Sequence, residues 1–179
     1  MFNLNAKSIA LVAVLSAIGA SLRYFTAIPL IPGFVELTPS FIIPILAGTW
    51  MGMRGGISVG FLVGLSGAFR GGEFPLIPLL GNVMLGIGPG LVRDVAVHEG
   101  LDLNKLNLKF ALAYMFASAI IGGFAPTFMV SLMFMPLSYA AYIAIPDAFS
   151  AFIAAIVAVM LLKCMYKCVK TYLVLEKSF

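Results

Sequence analysis

Long apolar runs, broken only by charged residues or by Gly/Pro clusters, constrain this chain more than any other feature. A helix needs about 20 mostly apolar residues to cross the hydrocarbon of a bilayer. Six runs approach that length: Ala6 to Phe25, Glu36 to Met53, Gly55 to Phe69, Leu76 to Val95, Lys109 to Met133 and Pro146 to Lys163. The third is the shortest. Hydrophobic residues fill 62% of the 179 positions and charged residues only 10%, against roughly 25% charge in an average soluble domain. The expectation is an all-α integral membrane protein, one domain folded as a six-helix bundle.

Little chain remains outside those runs for a soluble catalytic domain, and no Gly-x-x-x-x-Gly-Lys-Ser/Thr loop is present to bind nucleotide. Any ATP hydrolysis that serves this protein belongs to another chain. The first run has some marks of a secretory signal, with Lys7 ahead of an apolar core and Gly19-Ala20-Ser21 after it. With five more runs behind it, it reads as a retained helix.

Lys and Arg set the expected orientation, because positive residues stay on the cytoplasmic side. With both termini in the cytoplasm, Lys7, Arg54, Arg93, Lys105, Lys109, Lys163, Lys167, Lys170 and Lys177 are internal, and only Arg23 and Arg70 face outward. The inverted placement reverses that ratio of nine to two. The net charge of +4 is therefore topological and no sign of nucleic-acid binding, since these residues mark membrane edges and do not gather on one soluble face. Cys164 and Cys168 fall at the inner end of the last run, as reduced thiols. They lack two further ligands at metal-site spacing, and the single histidine, His98, lies in another connection. No metal and no cofactor are expected.

Gly64-Leu65-Ser66-Gly67 has the Gly-x-Ser-Gly form of an intramembrane serine nucleophile. Such a serine needs a base on a neighbouring helix at the same depth. His98 sits among Arg93, Asp94, Glu99 and Asp102 on the expected inner side, whereas Ser66 is near the outer end of its run, and no lysine falls inside a run. The chain does not read as an enzyme. Packing accounts for more of the residues: Gly48, Gly52, Gly56, Gly60 and Gly64 recur every four positions and Ala68 extends the series, a spacing that lets helices approach closely. Gly55-Gly56 beside Arg54 marks an inner turn, and Pro89 in Gly86 to Gly90 a kink in the fourth helix.

A second stripe of small residues runs along the first helix through Ala6, Ala10, Ala13, Ala17 and Ala20, all on one face. Lipid contact alone does not require them. They pack either within this bundle or against another membrane protein.

The alanine-striped first helix, a proline-containing outer loop and then FVELTPSFIIPILAGTWMGMRGGISVGFLVG, Phe34 to Gly64, together resemble the S component of energy-coupling factor vitamin transporters. The resemblance extends over six helices and nearly the whole chain, through short motifs that concern packing more than ligand. It implies a multi-pass subunit of a prokaryotic cell membrane that captures a vitamin or similar micronutrient outside. Delivery inward then follows docking on a membrane scaffold protein, the T component, joined to two cytoplasmic ATPases. It also implies that Ala13 and Ala17, flanked by Ala10 and Ala20, form the docking face. In that family the substrate site lies toward the outer side, beneath the first outer loop.

The polar residues expected on that side are Arg23, Tyr24, Glu36, Arg70, Glu73, Asn82, Tyr139, Tyr142 and Asp147. Asp147 is the one charged side chain between Lys109 and Lys163; it either contacts ligand or caps a sixth helix that begins at Pro146. Asn82 bonds a ligand or bridges helices. Arg23 and Arg70 bind an anionic group or snorkel to the interface, with Glu36 and Glu73 as partners. The tyrosines stack on a planar ring or belong to an interfacial belt. Both charge signs beside tyrosines suit a small amphoteric ring compound, without choosing among thiamine, riboflavin, folate, pyridoxine or queuosine precursors. A stand-alone permease or channel is the competing function, but it calls for repeat symmetry or polar residues along a path, and the inner halves of these runs offer almost none.

Overall fold

The computed structural model describes residues 6–71, 74–98 and 108–176, with side chains described as far as Cys164. The chain is mostly helical. Helix α1 spans Ala6–Thr26 and is followed by a two-stranded antiparallel hairpin, β1 Ile28–Ile31 and β2 Val35–Leu37. A short 3₁₀ turn, Pro39–Phe41, leads into α2, Ile42–Met51, and α3 follows at Met53–Arg70. Helix α4 spans Leu76–His98; α5, Leu108–Ala117, continues through a π-helical segment, Ser118–Phe124, into α6, Ala125–Ser131; α7 spans Leu137–Glu176.

Among the described residues, four helical stretches are long and apolar enough to cross a membrane: Ala6–Thr26, Leu76–His98, Leu108–Ser131 and Leu137–Cys164. The second and third apolar runs differ from expectation. Glu36 opens no helix, because it lies in β2, and the helical stretch behind it, Pro39–Met51, is short. Helix α3 has five glycines and two arginines in 18 residues, which dilutes its apolar character. The last helix begins nine positions before Pro146, which the helix accommodates internally. Pro146 has no N–H to give the carbonyl one turn before it, a loss that neighbouring helices can make good; one turn later Ser150 Oγ donates to the Pro146 carbonyl at 2.9 Å.

The glycine series does what its spacing predicts. A methyl group at Gly56 would run into the Gly86 carbonyl, at Gly60 into the Asn82 carbonyl, and at Gly64 into the Pro78 carbonyl at 2.6 Å. These pairings run in opposite directions along α3 and α4, so the two helices lie antiparallel with backbones nearly in contact. Gly48 of α2 meets the same Gly86 carbonyl. The turn from α2 to α3 rests on Gly52, whose φ of 82° favours glycine.

Around this backbone seam, Leu15, Ile43, Ala47, Met51, Val59 and Val63 form one buried cluster, and Phe41, Ile45 and Leu85 form another with Ala151, Ala154, Ala155 and Ala158 of α7. The π-helical segment sits between α4 and α7, with Gly122 against Leu85 and Gly123 against Ala148.

Candidate binding site at the hairpin end of the bundle

Three charged residues from three elements meet beside the hairpin. Arg23 comes from the last turn of α1 and is only 1% exposed; Glu36 comes from β2 and Arg70 from the end of α3. Arg70 Nη1 donates to both Glu36 carboxylate oxygens, at 2.8 and 2.9 Å, and its Nη2 donates to the Ala27 carbonyl at 3.2 Å. Arg23 Nη2 lies 3.3 Å from Glu36 Oε2. Burial on this scale needs compensation, because removing two or three charges from water is costly unless each finds opposite charge and hydrogen bonds. Glu36 supplies opposite charge to two guanidinium groups and accepts hydrogen bonds from Arg70.

The local sequence makes room for this arrangement. A Cβ at Gly67 would sit 2.9 Å from Arg23 Nε, so the small residue there leaves space for the guanidinium. The aromatic ring of Phe41 faces Arg23 with its centroid 5.6 Å from Cζ, within cation–π range. Phe41 is positioned by the 3₁₀ turn, where Thr38 Oγ1 accepts the Ser40 N–H at 3.2 Å. The hairpin tip is tied to the bundle by the Phe74 N–H, which donates to the Gly33 carbonyl at 2.8 Å.

Arg23 and Phe41 also line a cavity with Ile77, Pro78, Gly81, Asn82, Leu85, Gly122 and Asp147. Its volume is about 10 Å³, the room of roughly one water molecule. Asn82 is fully buried, and its Nδ2 donates to the Pro78 carbonyl at 2.7 Å. Since a carbonyl can only accept, that bond fixes the amide orientation. The other amide atom is therefore Oδ1, an acceptor with no hydrogen-bond partner among the described residues. Asp147, also buried, accepts a short hydrogen bond from Thr127 Oγ1, and Thr127 is itself fully buried in α6. Asp147 caps no helix. It lies ten residues into α7, because the helix starts at Leu137 and not at Pro146.

Of the polar residues singled out from sequence, Arg23, Glu36, Arg70, Asn82 and Asp147 come together here. Tyr24, Tyr139 and Tyr142 do not. Each is more than 60% exposed on the outside of the helices and none lines the cavity. Glu73 lies outside the described residues. Thr127 and Phe41 were not among the sequence candidates. Thr127 shares its run with the hydroxyls of Ser118 and Ser131 and so does not stand out, and Phe41 is one aromatic residue among many.

Ser66 has a local role: its hydroxyl donates to the Val63 carbonyl of its own helix at 2.7 Å. His98 ends α4 at the far end of the antiparallel pair. Ser66 lies near the Pro78 end, so about 30 Å of helix at 1.5 Å per residue separates the two levels.

At that far end Asp94 Oδ2 accepts the Met53 N–H at 3.0 Å and Oδ1 accepts from Arg93 Nη1 at 2.9 Å. Cys164 is a free thiol, and no group of three metal-ligating side chains forms among the described residues.

The alanine stripe of α1 lies mostly on the exposed side of the helix. Ala10, Ala13 and Ala17 are exposed and Ala20 is half-buried, while the opposite face buries Leu15, Ser16, Gly19 and Arg23. A methyl at Gly19 would press on Val63 Cγ2 at 2.5 Å, so the tight face of α1 against α3 is the glycine face. No family model matches this chain, and no curated protein does.

Proposed function

We propose that this protein is the substrate-capturing membrane subunit of an importer of the energy-coupling factor type, residing in a prokaryotic cell membrane. In this reading all six apolar runs cross, with α2 and α3 crossing as the backbone-packed partners of α4. Both termini lie in the cytoplasm, and the hairpin end faces outward. The observation that carries the proposal is the cavity at that end, walled by Arg23, Asn82 and Asp147 and braced by the Arg23–Glu36–Arg70 group. Polar groups at membrane depth are costly, and three of them lining one cavity call for a polar occupant.

The cavity has room for one water-sized group, so a vitamin-sized ligand requires it to widen. That movement falls to the hairpin, which is joined to the bundle through Glu36 and the Phe74–Gly33 hydrogen bond. The exposed alanine stripe supports a scaffold partner, because small side chains let a second helix approach closely. A stand-alone permease fits less well, since the buried charges gather at one end and do not continue as a path.

Mass spectrometry of small molecules released from detergent-purified protein tests the capture step; a protein that releases none and gives cells no uptake phenotype does not do this work. Asp147→Asn should weaken binding of the released compound by about 1.5 to 3 kcal/mol, the range for a hydrogen bond to a charged group, while leaving assembly with the scaffold and ATPases intact.

A further inference from the structure

The cavity wall has a definite hydrogen-bonding character, and its chemistry narrows the class of ligand. This inference rests on the capture reading above. Two faces of the wall accept: Asn82 Oδ1, buried and without a partner among the described residues, and the Asp147 carboxylate, which already receives Thr127. One face donates, the guanidinium of Arg23. Formal charges cancel, with Arg23 and Arg70 set against Glu36 and Asp147.

A carboxylate or phosphate placed here would satisfy Arg23 but would set its oxygens against two acceptors. An ammonium group would satisfy the acceptors but would stand beside a buried guanidinium and leave an uncompensated positive charge. A neutral primary amide satisfies both, its two N–H hydrogens donating to Asn82 and Asp147 and its carbonyl accepting from Arg23. Buried polar groups discriminate strongly against a ligand that leaves them unpaired.

The geometry points to a substrate whose buried headgroup is an uncharged primary amide, read by Asn82 and Asp147 through its two N–H hydrogens and by Arg23 through its carbonyl. Any ionised group on the same molecule would lie away from this cavity. The apolar part of the wall, Ile77, Pro78 and Leu85 with Phe41, suits the planar body that carries such a head.

Three probes of one size and different charge decide the matter: benzamide, benzoate and benzylammonium, titrated calorimetrically into the full-length protein in detergent after its resident ligand has been dialysed away. Benzamide should bind at least about tenfold more tightly than either charged analogue. Asn82→Asp adds one negative charge and should move the preference to benzylammonium. If benzoate or benzylammonium binds the unaltered protein as well as benzamide does, the inference is overturned, and it is equally overturned if none of the three binds. The comparison on the unaltered protein stands even if Asn82→Asp fails to fold. Capture itself is judged separately. A released micronutrient that lacks a primary amide would sink the headgroup assignment and leave the capture reading standing, whereas the absence of any released compound or uptake phenotype removes the capture reading.

Discussion

The two ends of the α3–α4 pair join arginine to carboxylate, yet only the hairpin end buries its carboxylate. At the hairpin end Glu36 is held by Arg23 and Arg70, with the Arg23 and Glu36 side chains 1% and 3% exposed. At the opposite end Arg93 meets Asp94 with side chains 21% and 45% exposed. Water screens the second pair, and its carboxylate serves mainly to receive the Met53 N–H at the start of α3. In the first cluster Arg70 reaches solvent, at 24% exposure, but Arg23 and Glu36 do not and depend on each other and on Arg70. Burial and not residue type separates a site from a helix cap.

The largest effect that would sharpen this contrast is Glu36→Gln. It leaves two guanidinium groups without their counter-charge, one of them fully buried, and should cost about 3 to 5 kcal/mol of stability, read from unfolding in detergent. A cost below about 1 kcal/mol would mean that the hairpin end is hydrated like the other end, and the comparison would collapse. Gly60→Ala comes next. Its methyl meets backbone, the Asn82 carbonyl carbon at 2.8 Å, and backbone cannot rotate aside, so about 1 to 3 kcal/mol should be lost to overpacking. An unchanged melting temperature would show that α3 and α4 separate easily.

Asp94→Ala should be milder, at about 1 kcal/mol, the usual cost of losing a side chain that receives a helix's first N–H groups. High salt should change that figure little, because the hydrogen bond to Met53 and not the exposed ion pair carries it. A strong salt dependence would give the ion pair the larger share. Ala13→Trp should have the smallest effect on folding, within about 0.5 kcal/mol, since the position is exposed. Ligand affinity should persist while assembly with the scaffold fails. Loss of ligand affinity in folded protein would place the alanine stripe inside the functional core of the bundle.

Several features were legible in the sequence because they depend on spacing alone. Glycines at every fourth position predict one face of close backbone approach, and the α3–α4 contacts at Gly56, Gly60 and Gly64 follow from that periodicity. The apolar runs placed α1, α4 and the stretch from Leu108 to Ser131 within a few residues of their ends. The start of α7 was misplaced because Pro146 looks like a helix opening in a one-dimensional reading. In the folded protein the helix carries the proline in its interior, and Asp147 becomes a buried wall residue.

What the sequence by itself determined is therefore composition and period: a helical, apolar chain with a glycine seam, an alanine stripe on the first helix and a few ionisable groups that could not be left alone in hydrocarbon. It could not sort those groups. Arg23, Tyr24, Tyr139 and Tyr142 are equally plausible from letters, and only the packing turns Arg23 inward over Phe41 and the tyrosines outward. That sorting depends on contacts between residues far apart in the chain: Glu36 with Arg70, Gly67 with Arg23, Thr127 with Asp147. Helical period fixes which residues share a face. Which face meets which partner is decided by the free energy of the whole bundle, chiefly by where buried charges can find one another, and that is a property of the tertiary structure alone.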